Sequence, residues 1–384
     1  MKATIAYFTV FVLLGIVTAS LGPTLPFLAD QTARELREVS ILFTMRSLGY
    51  MIGSFLGGRL YDRFPGNPIM AAALLAIGGS LLLVPFSSAL WVLTAVLFIT
   101  GVGEGTLDVG GNTLLSWQHG EKVAPFMNGL HFFFGLGAFL FPLILAQVLA
   151  REEGVSNAYW LMGLLAFPAA LGIARIRSPL RQRAADDDGR IPRAHWGLIT
   201  LLVLFFCLYV GAEVSYAGWV FTYAVESGGV AAETAAYVTA VFWVAFTIAR
   251  LISIPVGGWL RPRQILLIDV VGAMLSLVVL LARPGDLRAL WLGSAGFGFF
   301  IASIFPTMIT FAGRRMPVSG KVTGFFFLGA TAGAMSLPWL IGQFFERVGP
   351  QFMMWALAAD FLLAALVLAV LLRLPADPGK ETAN

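Results

Sequence analysis

The chain has 384 residues, of which 58% are hydrophobic and 12% are charged, and its mean hydropathy is +0.84. Soluble domains carry about 25% charged residues, so this composition excludes an ordinary soluble protein and indicates an integral membrane protein. The net charge is +4, but no basic surface is interleaved with exposed aromatic residues, so we expect no nucleic-acid partner. The single Cys207 excludes an intramolecular disulfide and a cysteine-based metal site, and we expect no bound metal.

Twelve apolar stretches follow one another along the chain, and about 20 apolar residues suffice to cross a hydrocarbon core of roughly 30 Å. The first is too long for the apolar region of a cleaved signal peptide, so we interpret it as the first spanning helix. The stretches predict an all-α membrane protein with twelve transmembrane helices, near residues 3–28, 39–61, 69–86, 90–117, 125–150, 158–176, 196–225, 231–260, 265–282, 287–311, 322–345 and 352–372.

A long polar insertion between the sixth and seventh stretches divides the chain. We predict two pseudo-symmetric six-helix halves, at 1–176 and 196–384, joined by a cytoplasmic linker at 177–195. With the amino terminus in the cytoplasm, 17 of the 25 Lys and Arg residues fall on the cytoplasmic side, six fall on the other side and two lie inside spans. The positive-inside rule therefore places both termini in the cytoplasm. We expect a multi-pass protein of a bacterial inner membrane.

The fourth stretch carries a stripe of polar side chains at its middle. Glu104, Asp108 and Asn112 are spaced i, i+4 and i+8, so they share one face of a helix. Carboxylates inside a membrane span are costly and usually face a bundle interior or a water-filled cavity. This pattern indicates coupling-ion contacts at Glu104 and Asp108, with Glu213 of the seventh stretch as a further candidate. A protonated structural pair, or pairing with an intramembrane arginine, is the alternative for Glu104 and Asp108.

Other polar and aromatic residues inside spans are candidates for contact with a solute. We single out Asn112, His131, Trp219, whose indole could stack on a sugar ring, and Gln343, for which a gate or packing role is equally open. A packed helix histidine and an interfacial tryptophan are the structural alternatives. Of the two arginines inside spans, Arg250 is predicted to pair with Asp269, and Arg46 has no partner at its depth.

Two segments of the first half recur in the second. Residues 51–63 align with 251–263, and Gly137, Pro142 and Gln147 match Gly333, Pro338 and Gln343. Duplicated halves are typical of transporters whose solute site lies between two repeats near the membrane midplane. Chance matching in low-diversity apolar sequence is the alternative.

The segment Gly58-Arg59-Leu60-Tyr61-Asp62-Arg63, with twelve spans and a long loop after the sixth, resembles the major facilitator superfamily. That family carries a motif similar to G-x-L-x-D-R-x-G-R-R between its second and third helices, but here the basic tail of the motif is missing. The resemblance implies the major facilitator fold and a gate role for Gly58, Asp62 and Arg63. The repeat extends this gate role to Gly258. We expect close helix packing through Gly57-Gly58 and again through Gly257-Gly258.

A narrower resemblance covers residues 107–112, 127–138 and 209–219, which are similar to the sodium-dependent glucose transporter group and the fucose–proton symporter family. It implies a coupling role for Asp108 and solute contacts at its neighbours. The first span has no acid near its middle, unlike the fucose symporter pattern, so the resemblance implies no second proton carrier there.

These features predict a secondary active transporter rather than an enzyme. We expect alternating access, with a small polar solute such as a monosaccharide carried together with H+ or Na+. No nucleotide-binding loop is present, and we expect no cofactor besides the coupling ion. The partners are then the solute and the lipid bilayer, and we expect a monomer. The alternative function is efflux of amphipathic drugs or lipids, favoured by the 32 phenylalanines.

Overall fold

Helices form nearly all of the chain. A computed structural model describes residues 1–152, 154–180 and 195–374, and within them no strand occurs. Two short 3₁₀ segments lie at Val84–Phe86 and Gly120–Lys122. The fifteen α-helices of the described residues are α1 Lys2–Thr18, α2 Leu21–Thr32, α3 Leu36–Val39, α4 Ile41–Tyr61, α5 Gly66–Leu83, α6 Leu90–His119, α7 Ala124–Ala150, α8 Ser156–Ala174, α9 Trp196–Gly228, α10 Ala232–Trp259, α11 Pro262–Ala282, α12 Leu287–Ile301, α13 Ile304–Gly313, α14 Gly320–Val348 and α15 Gln351–Arg373.

The number of membrane spans agrees with the sequence. Eleven helical segments of the described residues are long and apolar enough to cross a membrane, and counting one bent pair as a single span raises the number to twelve. The predicted all-α architecture is therefore confirmed. The sequence had suggested twelve continuous spans, but two of them are broken. The first is split into α1 and α2, which meet at 46°, and the tenth is split into α12 and α13 around Ala302 and Ser303.

The predicted linker falls mostly on residues that the structure does not describe, namely 181–194. On either side of it, α8 ends at Ala174 and α9 begins at Trp196. The division into halves at 176 and 196 is compatible with these helix ends, and the linker itself stays a prediction.

A matched pair of glycines packs equivalent helices in the two halves. A Cβ on Gly137 of α7 would overlap the Val12 carbonyl of α1, and a Cβ on Gly333 of α14 would overlap the Cys207 carbonyl of α9. The backbones of fifth and first spans therefore touch in one half as those of eleventh and seventh spans do in the other. The sequence match between these glycines corresponds to the same contact made twice.

Helices α4 and α6 are held together by a seam of glycines. Cβ atoms on Gly49 and Gly53 of α4 would overlap carbonyls of α6, and Cβ atoms on Gly101 and Gly105 of α6 would overlap carbonyls of α4. Small residues at four-residue spacing let helix backbones approach closely inside a membrane. The seam brings polar side chains of the two helices, also spaced by four, directly opposite one another.

The two halves meet at one end of the bundle. We call the end where α1 begins the N-end and the opposite end the far end. Among the described residues, all hydrogen bonds between the halves lie between the bundle middle and the far end. They join Leu36 and Arg37 to Glu346, Gln343 to the Arg37 carbonyl and Ser40, Gln147 to Tyr237, Thr44 to the Met335 carbonyl at 2.9 Å, and Ser47 to the Ala334 carbonyl at 3.4 Å.

The N-end is open by contrast. Among the described residues, no atom beyond the local helix lies within 4 Å of the position a Cβ would take at Gly58, Gly257 or Gly258, and Trp259 is 84% exposed. The close helix packing predicted at Gly58, Gly257 and Gly258 is therefore wrong for this conformation, because no described residue covers the faces of α4 and α10 that carry them. Gly57 is the residue of this segment that touches another helix, at Thr106. The structure is closed at the far end and open at the N-end.

The glycine seam yields the first prediction. Gly53→Leu should destabilise the protein by about 1–3 kcal/mol, because the added side chain forces α4 away from the α6 backbone. Gly58→Leu is the matched control on the same helix and should leave stability unchanged, since its site is empty. Thermal unfolding in detergent checks both variants. Equal losses in the two would contradict the assignment of the seam.

Candidate functional site

A buried ion pair forms the deeper of two cross-links between α4 and α6. Arg46 and Glu104 are only 7% and 3% exposed. The guanidinium donates through Nε to Glu104 Oε2 at 2.8 Å and through an Nη atom to Oε1 at 2.6 Å. The Thr18 hydroxyl of α1 also donates to Glu104 Oε1, at 2.9 Å. This bidentate geometry satisfies both charges where water cannot reach them.

Arg46 also supports the break in the first span. Its Nη2 atom donates to the Val17 carbonyl at 2.6 Å, at the point where α1 ends and α2 has not begun. The same carbonyl accepts from the Ser20 hydroxyl at 2.6 Å and from the Ser20 N–H at 3.0 Å, so three donors converge on the break. Arg46 therefore joins three spans, and it fulfils the alternative of an intramembrane arginine as the partner of Glu104. Depth estimated from the sequence did not reveal this pair.

Asp108 lies one turn further along α6 and forms the second cross-link. The Tyr50 hydroxyl of α4 donates a short hydrogen bond to Asp108 Oδ2. The Asn112 side-chain amide donates to Asp108 Oδ1 at 3.2 Å and to its carbonyl at 2.8 Å. Asp108 and Asn112 are half-buried, whereas Glu104 is buried. The stripe predicted from the sequence thus leads from the packed Glu104 towards the open N-end.

The second half contributes a carboxylate of its own. Glu213 of α9 is half-buried and accepts a hydrogen bond from the Tyr209 hydroxyl at 2.5 Å. Tyr209 also contacts the Ile301 carbonyl at 3.0 Å, at the end of α12 where the tenth span breaks. Both halves therefore present an acid held by a tyrosine.

Arg250 of α10 lies among these groups without an ion-pair partner in the described part of the chain. Its guanidinium carbon is 4.5 Å from the centre of the Phe246 ring, and its buried Nε has no hydrogen-bond partner. It interacts electrostatically with Asp108, His131 and Glu213. The predicted pairing with Asp269 is wrong.

Asp269 accepts a short hydrogen bond from Ser303 instead. Asp360, on the last helix, has a buried Oδ2 without a hydrogen-bond partner. Neither acid is bonded to Asp108 or Glu213, and the structure offers no physical account of Asp360.

His131 belongs to the same central region. It is half-buried on α7, and its ring meets the edge of Phe11 with centroids 6.3 Å apart. Helix α7 packs on α10 nearby, where a Cβ on Gly135 would overlap the Thr247 hydroxyl. We define the central cluster as Asp108, Asn112, His131, Glu213 and Arg250.

Two sequence candidates for solute contact lie outside this cluster. Trp219 is fully buried, stacks on Phe345 and donates its indole N–H to the Pro338 carbonyl at 3.0 Å. It has no free ring face on which a sugar could stack, so the predicted stacking is not possible in this conformation. Gln343 forms hydrogen bonds to the opposite half at the far end. This contact is compatible with the gate or packing role that the sequence left open.

The gate residues of the sequence motif lie at the N-end. Asp62 and Arg63 follow the last turn of α4, and both are exposed. Their gate role, with that of Gly58 and Gly258, stays a prediction. Within the described ranges, no group of three His, Cys, Asp or Glu residues could hold a metal ion.

The sequence profile described as Major Facilitator Superfamily matches residues 7–319. The chain belongs to the major facilitator superfamily. Two solved structures of similar fold are a D-xylose–proton symporter, with a TM-score of 0.77 at 13% identity over 99% of both chains, and a mutant nucleoside transporter, with a TM-score of 0.76 at 12% identity over 97% of this chain and 99% of that one. These two likenesses concern the fold.

Relatives within the superfamily resemble the chain over most of its length. Sodium-dependent glucose transporter 1 of Xenopus laevis is 30% identical, with 93% of this chain and 79% of the relative covered. The Homo sapiens protein of the same name is 31% identical, with coverages of 86% and 71%. Major facilitator superfamily domain-containing protein 4A of Homo sapiens is 26% identical, with coverages of 91% and 87%. The predicted resemblance is thereby confirmed, and this superfamily member is a multi-pass membrane transporter rather than an enzyme.

The Arg46–Glu104 pair yields the second prediction. Arg46→Gln should destabilise the protein by about 3–5 kcal/mol, because it leaves a buried carboxylate without its counter-charge. Adding Glu104→Gln to that variant should recover part of the loss. Arg34→Gln removes an exposed pair with Glu38 and should cost about 1 kcal/mol or less. Thermal midpoints of the four proteins test the pair, and a double variant less stable than Arg46→Gln would argue against it.

Proposed function

We propose that this protein is a secondary active transporter that carries a monosaccharide together with H+ or Na+ by alternating access. The observation that carries the proposal is the central cluster, in which acids from both halves lie beside amide, imidazole and phenol groups. The names of the glucose transporter relatives support a sugar as the solute. The xylose–proton symporter of similar fold is compatible with an ion-coupled cycle.

The chemistry of the cluster suits a hydroxylated solute. A sugar presents hydroxyl groups that both donate and accept, and Asn112, His131 and Glu213 offer both kinds of partner. Carboxylates that exchange a proton or sodium ion can change the charge of the same site. Binding of the cation and of the solute would then be coupled through shared hydrogen bonds at Asp108 and Asn112.

The open N-end supports an inward-open state. The excess of basic residues on that side favours its placement in the cytoplasm. Transport would proceed by rocking of the two halves, which closes the N-end and separates the contacts at the far end. We place the protein in a bacterial inner membrane as a monomer, with both termini in the cytoplasm and no cofactor besides the coupling ion.

Efflux of amphipathic drugs or lipids is the second candidate. Phe132, Phe133 and Phe134 of α7 are half-buried beside His131, and an aromatic wall of this kind suits apolar cargo. The neighbouring acids, amide and arginine favour the hydrophilic solute.

The third prediction tests coupling at Asp108. Asp108→Asn keeps the side-chain size but removes the exchangeable charge, so gradient-driven accumulation of glucose in proteoliposomes should be lost. Counterflow of glucose, which needs no net ion movement, should survive. Asp286→Asn is the control, because Asp286 only caps α12 at the far end by accepting from the Ala289 N–H. Accumulation at the wild-type rate in Asp108→Asn would remove this residue from the coupling pathway.

The same liposomes separate the ions and the solutes. Proton coupling requires uptake driven by a pH gradient without sodium, whereas sodium coupling requires a sodium gradient. If glucose is never carried while a hydrophobic cation or a fluorescent lipid is, the sugar proposal fails and efflux replaces it.

The fourth prediction concerns orientation. With Cys207 replaced by serine, a cysteine at Lys122 should be protected from an impermeant thiol reagent in right-side-out vesicles, and one at Arg151 should be labelled. These exposed positions flank the two ends of α7, so a single helix provides its own control. The reverse labelling pattern would invert the proposed topology.

A further inference from the structure

Arg250 is a charge in a membrane span that no described residue pairs with. The guanidinium touches the face of Phe246, and its Nε is buried without a hydrogen-bond partner. By contrast, the other arginine within a span, Arg46, forms two hydrogen bonds to Glu104. An uncompensated charge at this depth costs several kcal/mol unless nearby charges or water stabilise it. Arg250 is therefore retained against a considerable penalty.

The groups that surround Arg250 are mostly acidic or neutral. Its charge interacts electrostatically with Glu213 and Tyr209 of α9 in its own half, and with His131 of α7 and Asp108 of α6 in the opposite half. The helix α12 also packs on α10, but its only ionisable residue, Arg288, lies at the far end. Arg250 is thus the one arginine or lysine within the described central cluster.

The internal repeat carries a neutral residue at the position that aligns with Arg250. In the alignment of residues 51–63 with 251–263, the residue before the first segment is Tyr50 and the residue before the second is Arg250. Tyr50 donates its hydroxyl to Asp108. The equivalent place in the second half carries a full positive charge instead of a phenol, at a position that faces the acids of both halves.

The charges of the cluster define a simple balance. With the imidazole neutral and both carboxyl groups deprotonated, Asp108 and Glu213 supply two negative charges and Arg250 supplies one positive charge. Arg46 and Glu104 neutralise each other and contribute none. The cluster then has a net charge of −1, and one H+ or one Na+ makes it neutral. A neutral cluster is the form that moves most easily through a low-dielectric closed state.

We propose that Arg250 is the fixed counter-charge of Asp108 and Glu213 and that it sets the number of coupling cations at one per cycle. This inference rests on the proposed ion-coupled function and assigns Arg250 a positioning role through charge rather than contact with the solute. Without Arg250 the cluster would carry two negative charges and would need two cations to become neutral.

Linkage between cation binding and stability counts these cations without any solute. The free energy of unfolding rises with the logarithm of free cation concentration, and the slope is proportional to the number of cations bound by the folded protein alone. We would record thermal midpoints of the full-length protein in detergent against sodium concentration at fixed pH, and against pH without sodium. The probe is the cation itself.

The wild-type slope for the coupling cation should correspond to one ion. Arg250→Gln should have a lower midpoint at low cation concentration and a slope corresponding to two. Arg250→Lys keeps the charge and should behave as the wild type. Adding Glu213→Gln to Arg250→Gln restores a net charge of −1, so the double variant should regain both the midpoint and the slope of one ion. Arg288→Gln, at the exposed far end, is the matched control and should match the wild type.

Three results would overturn the inference. One is a slope in Arg250→Gln equal to that of the wild type. Another is a double variant as unstable as Arg250→Gln, which would mean that packing on Phe246 is what the arginine provides. The third is stabilisation of the wild type by glucuronate but not by glucose, together with loss of that stabilisation in Arg250→Gln. Such a result would make the arginine a contact for an anionic solute. If the slopes behave as expected but glucose is not carried, the counter-charge stands and the sugar proposal alone fails.

Discussion

The backbone contact between α4 and α6 is the constraint on which the site depends. Glycines on both helices remove the side chains that would hold them apart, and Arg46 and Tyr50 then lie opposite Glu104 and Asp108. Burial of a carboxylate and a guanidinium is tolerable only with this geometry, because each charge is satisfied by the other. A bulkier residue in the seam would lengthen these hydrogen bonds, so that packing and electrostatics fail together.

The two cross-links give the two acids of α6 different hydrogen-bond partners. Glu104 is bonded by an arginine and a threonine and ties together three spans at the break between α1 and α2. Asp108, one turn away, is held by neutral donors and meets the open side of the bundle. A carboxylate whose partners are neutral can accept a cation without first breaking an ion pair. Glu104 thus fixes α6 one turn before Asp108.

Much of the fold and part of the site could be predicted from the sequence. Span length predicts twelve helices because the thickness of the bilayer sets it. The spacing of Glu104, Asp108 and Asn112 predicts a shared face because an α-helix repeats about every 3.6 residues. The partners of Arg46 and Arg250 could not be predicted, because depth along a helix does not determine which face meets which neighbour. The predictions of sugar stacking at Trp219 and close packing at Gly58 failed for another reason. Whether an indole is covered, or a glycine is crowded, depends on which end of the bundle is closed.

The closed far end owes part of its contact to a proline. Pro338 within α14 lacks an N–H, so the carbonyl four residues earlier, that of Ala334, has no donor from its own helix. Ser47 of the opposite half donates to it, and Thr44 donates to the adjoining Met335 carbonyl. Neutral hydroxyl-to-carbonyl bonds contribute only about 0.5–1.5 kcal/mol each. Thermal motion can break bonds this weak. The carbonyl left free by Pro338 in α14 thus gives the opposite half a hydrogen bond that can form and break easily.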